Sequence, residues 1–404
     1  MTRTCLVVGA SHAGSQLAIS LREQGWEGRI VLLGDEAHLP YHRPPLSKEY
    51  LAGRKSVEEI RIRPAAVYGK AQIELLTGRR MQRIDRAGRR VVLEEGEALA
   101  YDKLALCSGS RVRRVDLPGA DLPGVHYLRT IADVDRIRAD LAPGGRAVIV
   151  GGGYIGLETA AVLRKLGMDV TVVEMMERVM QRVTAPEVSA FYTRVHAEEG
   201  VRIICGASVA GFEGAGRAET VRLGDGRALP AELVIIGVGI VPNVELARDA
   251  GLKVDNGIVV DEHACTSDPD IVAAGDCTWH FNALYQRWIR LESVQNATDQ
   301  ARIAAATLCG KPQEYNTLPW FWSDQYDLKL QIAGLSQGYD EIVTRGDVQA
   351  GRSLAAFYLK EGRIIAVDAI NRAPEFMQGK KLIAECKVVD RAKLADAALP
   401  MKEL

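Results

Sequence analysis

The sequence has almost no net charge and no long hydrophobic run. Its 51 Lys and Arg nearly balance 52 Asp and Glu over 404 residues, which leaves a net charge of −1. Without a general positive field the chain has no electrostatic means of holding nucleic acid, so a nucleic-acid binder is excluded. Apolar stretches such as Ala147–Leu157 and Leu233–Pro242 fall short of the roughly 20 residues that cross a bilayer.

The beginning of the chain carries no evident targeting segment. The first strand-like run, Cys5–Val8, follows the initiator Met almost directly and leaves no room for a signal peptide. We therefore expect a soluble, cytoplasmic protein that associates with no membrane. Its length of 404 residues allows two to four domains with cores of their own.

The sequence also lacks a cysteine pair. Its seven cysteines stand at positions 5, 107, 205, 265, 277, 309 and 386, and no two are spaced as Cys-x-x-Cys. None has a His at zinc-ligand spacing, so we expect no metal site and interpret the cysteines as reduced, small hydrophobic residues. An enzyme that passes electrons through a dithiol is therefore excluded.

Glycine, by contrast, is abundant, with 39 residues against 6 Phe and 8 Met. Much of it falls in two stretches, residues 4–36 and 146–174, that share one plan of strand, glycine turn, helix, strand and terminal acid. Two βαβ units of this kind imply two separate dinucleotide sites. The parts are Thr4–Val8, Gly9–Gly14, Gly25, Arg29–Leu33 and Asp35 in the first copy, and Ala147–Val150, Gly151–Gly156, Gly167, Val170–Val173 and Glu174 in the second.

Each turn is a Gly-x-Gly-x-x-Gly motif in its required context, between a strand and a helix. The first glycine permits the turn, the second lets the backbone approach a pyrophosphate, and the third lets the helix pack closely with its N-terminal amides facing the phosphate. Gly151, Gly153 and Gly156 complete the motif in the second copy. In the first copy, Gly9 and Gly14 flank Ser11, which replaces the middle glycine.

The terminal acids predict the type of nucleotide. A carboxylate at this place accepts the ribose hydroxyls and repels a 2′-phosphate. Glu174 is followed by no Arg where a phosphate clamp is usually placed, and Arg178 is the nearest positive charge. We therefore predict NADH rather than NADPH at the second site. Asp35 is expected to hold the ribose of the first nucleotide, with Glu36 as the less favoured candidate.

Three further features point to a flavin. A strand ending in Gly275-Asp276 can aim one carboxylate at a ribityl hydroxyl, although a simple turn Asp is the alternative. Two prolines stiffen the loop Arg43–Lys48, so that Lys48 could point at a flavin edge unless it is a solvated surface residue. From about residue 319 the composition changes, and Trp320-Phe321-Trp322 with later alternating runs suggests a β-rich third domain.

Together these motifs resemble those of the FAD-dependent, NADH-linked reductases of oxygenase ferredoxins. The resemblance implies a glutathione-reductase-like α/β fold with two Rossmann-like domains and a C-terminal α+β domain. The FAD domain, residues 1–110 and 240–318, is split by an NAD(H) domain, residues 111–239, and residues 319–404 cover the flavin and partner side. The motifs are Pro44–Lys48, Gly151–Glu158, Arg182–Pro186, Gly239–Asn243, Thr266–Pro269, Gly275–Cys277, Glu292–Ala297 and Pro319–Gln325.

The resemblance also implies contacts at individual positions. For FAD the residues are Gly9, Ser11, Ala13, Gly14, Asp35, Arg43, Lys48, Met81, Arg129, Asp276 and Val294. For NADH they are Gly151, Gly153, Ile155, Gly156, Glu158, Glu174 and Gly239. Ser11 and the sequence Cys107-Ser108-Gly109, in place of the usual Ala-Thr-Gly, depart from the family pattern but conserve size.

The chemistry of such an enzyme belongs to the flavin, and three side chains are predicted to assist it. NADH would pass a hydride to the flavin N5, and Lys48 near N5 would stabilise the reduced, anionic ring. Glu158, read as beginning the helix after the glycine turn, would pair with Lys48 or orient the nicotinamide. Its alternative is an exposed first-turn acid. Trp322, with Trp320, would line the exposed flavin edge, unless both are core aromatics.

Because the chain has no dithiol, the electrons must leave singly to a protein carrier. We predict a 2Fe–2S ferredoxin that feeds an oxygenase, either a haem-thiolate monooxygenase or a ring-hydroxylating dioxygenase. Such carriers are acidic, so Arg302, Lys311 and Lys329 are candidate docking residues, with a solvated face as the alternative for each. The enzyme itself is expected to be a monomer or a weak dimer.

Three other functions remain open. A rubredoxin could replace the ferredoxin with the same residues in the reductase. An apoptosis-factor-like NADH sensor without catalytic function shares the fold. A flavoprotein oxidase or peroxide reductase would need a reactive cysteine near the flavin, for which Cys277 is the candidate, although the sequence offers no charged partner that would lower its pKa.

Overall fold

The computed structural model describes residues 3–404, which group into two compact units. The first unit consists of residues 3–42, Val57–Arg111 and Ile240–Pro319. The second consists of Arg43–Ser56, Val112–Gly239 and Trp320–Leu404. The division into three domains with the boundaries given above stays a prediction.

Helices and strands alternate in the two βαβ stretches, whereas runs of consecutive strands make up much of the rest. The α-helices are α1 His12–Glu23, α2 Ala65–Lys70, α3 Ile131–Ala139, α4 Tyr154–Lys165, α5 Pro186–Glu198, α6 Glu245–Asp249, α7 Val294–Leu308, α8 Ala373–Ala384 and α9 Arg391–Ala395, and 3₁₀ turns span Pro44–Ser47, Glu58–Ile60 and Met401–Glu403. Within residues 3–404 no helix has both the length and the apolar character needed to cross a membrane.

The strands, in chain order, are β1 Thr4–Val8, β2 Arg29–Leu33, β3 Ile73–Leu76, β4 Met81–Asp85, β5 Arg90–Leu93, β6 Ala98–Ala100, β7 Lys103–Leu106, β8 Ser110–Val112, β9 Val125–Tyr127, β10 Arg146–Val150, β11 Asp169–Val173, β12 Arg202–Ile204, β13 Val209–Glu213, β14 Thr220–Leu223, β15 Ala228–Pro230, β16 Leu233–Ile236, β17 Ile240–Pro242, β18 Ile258–Val260, β19 Ile271–Ala273, β20 Thr278–Asn282, β21 Arg287–Ile289, β22 Trp320–Gln325, β23 Leu328–Gly334, β24 Glu341–Gly346, β25 Leu354–Lys360 and β26 Arg363–Ile370.

A five-stranded parallel sheet in the order β19-β7-β1-β2-β3 forms the centre of the first unit. Its central strand is apolar at every position after Thr4 because both faces are covered. Cys5 and Val7 pack with Leu17 of α1 and Ala301 of α7 on one face, whereas Leu6 lies in a separate cluster with residues of β4 and β5 on the other. The first predicted βαβ unit is present, and its turn lies at the carboxyl end of β1.

The second unit contains the other predicted βαβ element and an antiparallel sheet. The parallel sheet has the order β12-β11-β10-β16-β9, and the turn between β10 and α4 lies at its carboxyl edge. From Trp320 onward the chain forms the antiparallel sheet β22-β23-β26-β25-β24, which is the β-rich segment that the composition predicted.

The two faces of the antiparallel sheet have different partners within the second unit. Helix α8 covers one face so closely that a Cβ added to Gly379 would lie 2.7 Å from a methyl carbon of Val367. The opposite face meets α4 and α5. There the ring of Phe321 lies 5.0 Å from that of Tyr154, and Gln325 hydrogen-bonds with His196 at 2.8 Å.

A buried acid lies on the face of this sheet that meets α5. Asp368 is 1% exposed, and its Oδ2 accepts hydrogen bonds from Thr184 Oγ1 at 2.6 Å and from the Tyr358 hydroxyl at 2.5 Å. The two hydroxyl groups both donate to one carboxylate oxygen and bring no positive charge to neutralise it. Burial therefore raises the pKa of Asp368 to about 6 from its usual 3.8.

Replacing Asp368 by Asn is expected to stabilise the protein at neutral pH. The folded state keeps the carboxyl proton to a higher pH than the unfolded chain, so the stability from this group falls as the pH rises from about 4 to about 6. At about 1.4 kcal/mol per pKa unit, the difference above pH 6 is about 3 kcal/mol. Thermal unfolding at several pH values should show Asp368→Asn gaining on the wild type across that interval. A constant difference in melting temperature between pH 4 and pH 8 would contradict the account.

Candidate active site

The first glycine turn is fixed by contacts of the backbone with itself. Gly9 has φ +109°, and a Cβ there would lie 2.0 Å from the carbonyl oxygen of Cys107. A Cβ on Gly14 would lie 1.9 Å from the Gly9 carbonyl oxygen, so that α1 can approach β1 only through a glycine. Ser11 has φ −124°, which any residue adopts, and its side chain makes no capping hydrogen bond with α1. Serine at the middle position is thus free of strain. Because α1 has no acid in its first turn, no carboxylate there repels a phosphate at the N-terminus of the helix.

Small residues bring a second helix terminus to the same turn. A Cβ on Gly275 would lie 3.2 Å from the Ala13 Cβ and 3.8 Å from that of Ala297, which lies one turn into α7. Asp276 follows directly, is half-buried, and accepts a hydrogen bond from Ser110 Oγ at 2.8 Å. Backbone amides of two helices and one carboxylate suit a ligand that carries a pyrophosphate and a polyol, as FAD does. Val294 is the first residue of α7.

The acids of the two copies are not at equivalent positions. In the first copy the Gly9 amide donates to the Leu33 carbonyl, and in the second copy the Gly151 amide donates to the Val173 carbonyl. Leu33 and Val173 are therefore equivalent positions, and the residues that follow them, Gly34 and Glu174, are equivalent too. Asp35 therefore lies one residue further along the chain, where it is exposed. The neighbouring Glu36 accepts a hydrogen bond from the Tyr41 hydroxyl at 2.6 Å, which leaves Asp35 the better ribose candidate. Met81, also predicted to contact FAD, begins β4 and is buried.

The second glycine turn repeats this geometry and leaves room at its centre. A Cβ on Gly151 would lie 2.3 Å from the Gly237 carbonyl oxygen, and one on Gly156 would lie 2.0 Å from that of Gly151. Gly153 has φ −79°, and apart from its chain neighbours no atom of the described residues lies within 4 Å of the place of its Cβ. The protein itself therefore does not require glycine at 153. The open space and the exposed Ile155, 45% accessible beside it, fit a nucleotide pyrophosphate that approaches the backbone.

The carboxylate of Glu174 is oriented by backbone amides at the end of β11. Its Oε2 accepts from the Gly152 amide at 2.6 Å, and its Oε1 accepts from the Met176 amide at 2.8 Å. Arg178 donates to the Thr184 carbonyl and to Ser189 Oγ. Because these hydrogen bonds occupy its guanidinium, Arg178 does not serve as a clamp for the 2′-phosphate of NADPH. Both observations favour NADH. Gly239, with φ +106°, follows β16 at the same edge of the sheet.

The two arginines predicted to contact FAD lie together in the second unit. The Arg43 guanidinium donates to the Arg129 carbonyl at 2.7 Å, and both side chains are half-buried. The Arg129 amide in turn donates to Asp133 Oδ2 at 3.1 Å, at the beginning of α3. The capping box between Thr130 and Asp133 fixes this beginning and with it the Arg129 backbone.

A buried ion pair joins the proline-rich loop to α4. Lys48 Nζ lies 2.7 Å from Glu158 Oε2, and the two side chains are 15% and 1% exposed. The Ser47 hydroxyl donates to the same oxygen at 2.6 Å, and the Ser323 hydroxyl donates to Glu158 Oε1 at 2.6 Å. Every carboxylate oxygen thus has a donor, as a buried charge requires.

Two of the alternatives for this pair are wrong. Glu158 is not an exposed acid that begins the helix, because α4 begins at Tyr154 and Glu158 lies in its second turn, buried under β22. Lys48 is not a solvated surface lysine, because the pair with Glu158 covers most of its side chain. The predicted pairing of the two is present. Their roles toward flavin and nicotinamide stay predictions.

The tryptophans of β22 are half-buried at the edge of the antiparallel sheet. Trp320 and Trp322 share one face, with ring centroids 5.6 Å apart, and Trp320 lies edge-on to Phe376 of α8 at 6.2 Å. Lys380 Nζ lies 5.6 Å from the centre of the Trp320 ring. Neither indole is a fully buried core residue, so both present aromatic surface that a cofactor or partner can contact.

Comparison with known proteins assigns the chain to a family. Residues 3–301 match the family described as pyridine nucleotide-disulphide oxidoreductase, and residues 320–404 match the one described as reductase C-terminal. The chain belongs to the pyridine nucleotide-disulphide oxidoreductases. Putidaredoxin reductase CamA of Pseudomonas putida is 46% identical over 405 residues, which cover 99% of this chain and 96% of that protein.

Two further similarities extend over the full length of this oxidoreductase. The ferredoxin reductase subunit of 5,5′-dehydrodivanillate O-demethylase from Sphingobium sp. is 46% identical over 403 residues, covering 99% of this chain and 98% of that one. The crystal structure of a covalent putidaredoxin reductase–putidaredoxin complex superimposes with a TM-score of 0.96 at 46% identity, covering 99% of this chain and 97% of that one.

These findings confirm the predicted family resemblance, fold class and cofactors. The protein is an FAD-dependent oxidoreductase that uses NAD(H), with a C-terminal reductase domain. The individual FAD and NADH contacts, and the preference for NADH over NADPH, stay predictions.

The cysteines of the oxidoreductase form no disulphide. All seven are free. Burial raises the pKa of the Cys277 thiol, so it is held in the unreactive form, which speaks against the peroxide reductase hypothesis. In the part of the chain that the structure describes, no group of three or more His, Cys, Asp or Glu side chains could hold a metal ion.

Sequence reasoning missed the two serines that hold Glu158. Ser47 and Ser323 both lie inside motifs quoted above, Pro44–Lys48 and Pro319–Gln325. A buried carboxylate needs a hydrogen-bond donor for each oxygen. The serine in each of these two motifs was the feature of the sequence that could have identified those donors. What the sequence could not show is that the second motif packs onto α4, because 165 residues separate Ser323 from Glu158.

Replacing Glu174 by Ala is expected to raise the KM of this oxidoreductase for NADH about tenfold and to leave kcat within about twofold. A carboxylate that binds the ribose hydroxyls does so equally in ground and transition states, so we expect its loss to affect binding and not the hydride step. Steady-state kinetics with NADH and NADPH measure both effects, and the NADPH disadvantage should shrink because the repelling charge is gone. Glu177→Ala, an exposed acid three residues away, is the control. An unchanged KM for NADH would contradict the assignment of Glu174.

Proposed function

We propose that this enzyme takes a hydride from NADH onto FAD and passes the electrons one at a time to a 2Fe–2S ferredoxin. The ferredoxin then feeds an oxygenase, either a haem-thiolate monooxygenase or a ring-hydroxylating dioxygenase. The observation that carries the proposal is that the seven cysteines are all free and that no two are spaced as Cys-x-x-Cys, in a family described by its action on disulphides. The relatives named above, at 46% identity over nearly the full chain, are reductases of putidaredoxin and of a ferredoxin by name.

FAD supplies the redox chemistry, since it accepts two electrons together and releases them singly. The protein provides binding and charge. The glycine turns and helix N-termini bind the two pyrophosphates, and Glu174 and Asp35 bind the riboses. Lys48, held by Glu158, places a positive charge where negative charge develops during hydride transfer, and Glu158 orients the nicotinamide. Trp322 and Trp320 line the flavin edge from which electrons leave.

The ferredoxin is proposed to be acidic and to dock on basic residues of the enzyme. Lys329 is exposed on β23. Arg302 is exposed on α7 in an ion pair with Asp299, and Lys311 donates to the Gln24 carbonyl at 2.7 Å. Lys329 is proposed as the best of the three because it is exposed on β23, where Asp324 lies opposite it on β22, whereas Arg302 and Lys311 are engaged in the contacts just named. We propose further that the enzyme is cytoplasmic, which the free thiols support, and that it is a monomer or a weak dimer.

A panel of acceptors tests this function. The enzyme, reduced by NADH without oxygen, is mixed in turn with a 2Fe–2S ferredoxin, a rubredoxin, oxygen and peroxide, and the reoxidation of FAD is followed by absorbance. The proposal expects the fastest reoxidation with a ferredoxin. Faster reoxidation by rubredoxin would show that the acceptor is a rubredoxin and not a ferredoxin. Fast reoxidation by oxygen or peroxide would indicate an oxidase or peroxide reductase. Slow reoxidation by all four would indicate an NADH sensor.

A further inference from the structure

A line of hydrogen bonds continues from Glu158 into the antiparallel sheet and on to α5. Ser323 Oγ donates to Glu158 Oε1 at 2.6 Å, and Gln325 Nε2 donates to Ser323 Oγ at 3.3 Å. Gln325 Oε1 lies 2.8 Å from His196 Nε2, and the Tyr326 hydroxyl lies 3.4 Å from His196 Nδ1. Glu158, Ser323, Gln325 and His196 are each at most 2% exposed. The four residues form one buried line that ends at the carboxylate.

Only one arrangement of protons satisfies the whole line. Burial lowers the pKa of His196 to about 4, with Glu199 acting to raise it and Arg352 to lower it, so the imidazole is neutral and has one N–H. Because the Gln325 carbonyl oxygen can only accept, this N–H is on Nε2 and Nδ1 accepts from Tyr326. Every donor therefore points toward Glu158, as a line that ends on an anion should.

The alternation of β22 explains why these residues meet. Ser323 and Gln325 are two positions apart and face α4 and α5, whereas Trp320 and Trp322 face the other side. Burying these two polar side chains on an otherwise packed strand face costs free energy unless they have a hydrogen-bond partner. Here the partner is Glu158, whose other oxygen is bound to Lys48.

We propose that Ser323, supported by Gln325 and His196, is a positioning residue for hydride transfer. Ser323 fixes the plane of the Glu158 carboxylate so that Oε2 stays on Lys48. The inference rests on the proposed function, because it assumes that Lys48 and Glu158 serve the transfer between NADH and FAD. Without the Ser323 hydroxyl, Oε1 lacks its donor. Lys48 and Ser47 still bind Oε2, but they no longer fix the plane of the carboxylate, whose terminal torsion is broad. The Lys48 ammonium then loses its fixed position as well.

The test compares Ser323→Ala with Ser323→Thr, which keeps the hydroxyl, and with Gln325→Met as a second variant. For Ser323→Ala we expect the rate of FAD reduction by NADH in an anaerobic stopped-flow experiment to fall about tenfold. The dissociation constant for NAD⁺ and the FAD content should stay near wild type, whereas the melting temperature should fall by a few degrees, because buried Glu158 Oε1 loses its donor. Ser323→Thr should recover most of the rate, and Gln325→Met should lose about threefold. A crystal structure of Ser323→Ala should show the Glu158 carboxylate turned and Oε2 further than 2.7 Å from Lys48 Nζ.

Two results would overturn the role of Ser323. One is a Ser323→Ala variant with the wild-type rate and an unmoved carboxylate. The other is an equal loss of rate and of melting temperature in the Ala and Thr variants, because that indicates a packing role alone. A wild-type enzyme that NADH does not reduce would instead overturn the proposed function. In that event the position of the carboxylate in the Ser323→Ala crystal structure still decides whether Ser323 positions Glu158.

Discussion

The variant Gly153→Val is expected to bind NADH roughly 100-fold more weakly while it keeps its fold and its FAD. Gly153 has an extended, unstrained backbone, and apart from its chain neighbours no atom of the described residues lies within 4 Å of the place of its Cβ. A valine therefore costs the apo fold little. Its methyl groups would occupy the space through which a pyrophosphate approaches the backbone, and loss of NADH binding would report on that space alone.

The measurements for Gly153→Val are the NADH dissociation constant, the FAD content after purification and the melting temperature. Gly69→Val is the matched control, since Gly69 also has an open surrounding but lies on an exposed helix of the other unit. The control should match the wild type in all three. Loss of FAD with retention of NADH binding in Gly153→Val would reverse the assignment of the two sites. A wild-type affinity of Gly153→Val for NADH would contradict the assignment of the second glycine turn to the NADH site.

Lys48→Met is expected to slow the reduction of FAD by NADH at least about 100-fold and also to destabilise the protein. The rate falls because no other cation is held by Glu158 to stabilise the developing negative charge; removing one preorganised electrostatic partner typically costs about 100- to 1000-fold. The stability falls because the buried Glu158 carboxylate, 1% exposed, loses its countercharge. Breaking such a buried pair typically costs about 3–5 kcal/mol.

The double variant Lys48→Met/Glu158→Gln separates the two effects. The neutral glutamine side chain no longer needs a countercharge, yet it can still accept a hydrogen bond from Ser47 or Ser323, so the melting temperature should recover toward wild type. The rate of FAD reduction should remain low, because the cation is still absent. Recovery of the rate together with the stability would contradict a direct role of Lys48 in hydride transfer and would assign the pair to the fold.

Local periodicity predicted much of this molecule. In both βαβ units the strand, turn and helix order is seen in the structure, because consecutive apolar residues and a glycine turn determine it within about 30 residues. Gly9 and Gly151 each have a positive φ, and an added Cβ would lie 2.0 Å from a backbone carbonyl oxygen at Gly9 and 2.3 Å from one at Gly151. The backbone therefore requires glycine at both positions, as the motif predicted. The β-rich C-terminal segment was also predicted, since alternation is local.

The environment of Glu158 could not be predicted from its neighbours in the chain. Its place after the glycine turn left an exposed first-turn acid open beside the predicted pairing with Lys48. Ser47 and Ser323, 111 and 165 residues away, bury it instead. The offset between Asp35 and Glu174 has the same origin. The hydrogen bonds that align the two copies join Gly9 to Leu33 and Gly151 to Val173, and the spacing of glycine and acid alone does not show them.

The ferredoxin dependence of cytochrome c reduction tests the central claim most directly. The wild-type enzyme is supplied with saturating NADH and cytochrome c, with and without a 2Fe–2S ferredoxin, and NADH consumption is recorded together with cytochrome c reduction. The account predicts a slow rate without ferredoxin, a rate at least about tenfold higher with it, and two cytochrome c molecules reduced for each NADH, because one hydride leaves as two single electrons. Equal rates with and without ferredoxin would contradict it.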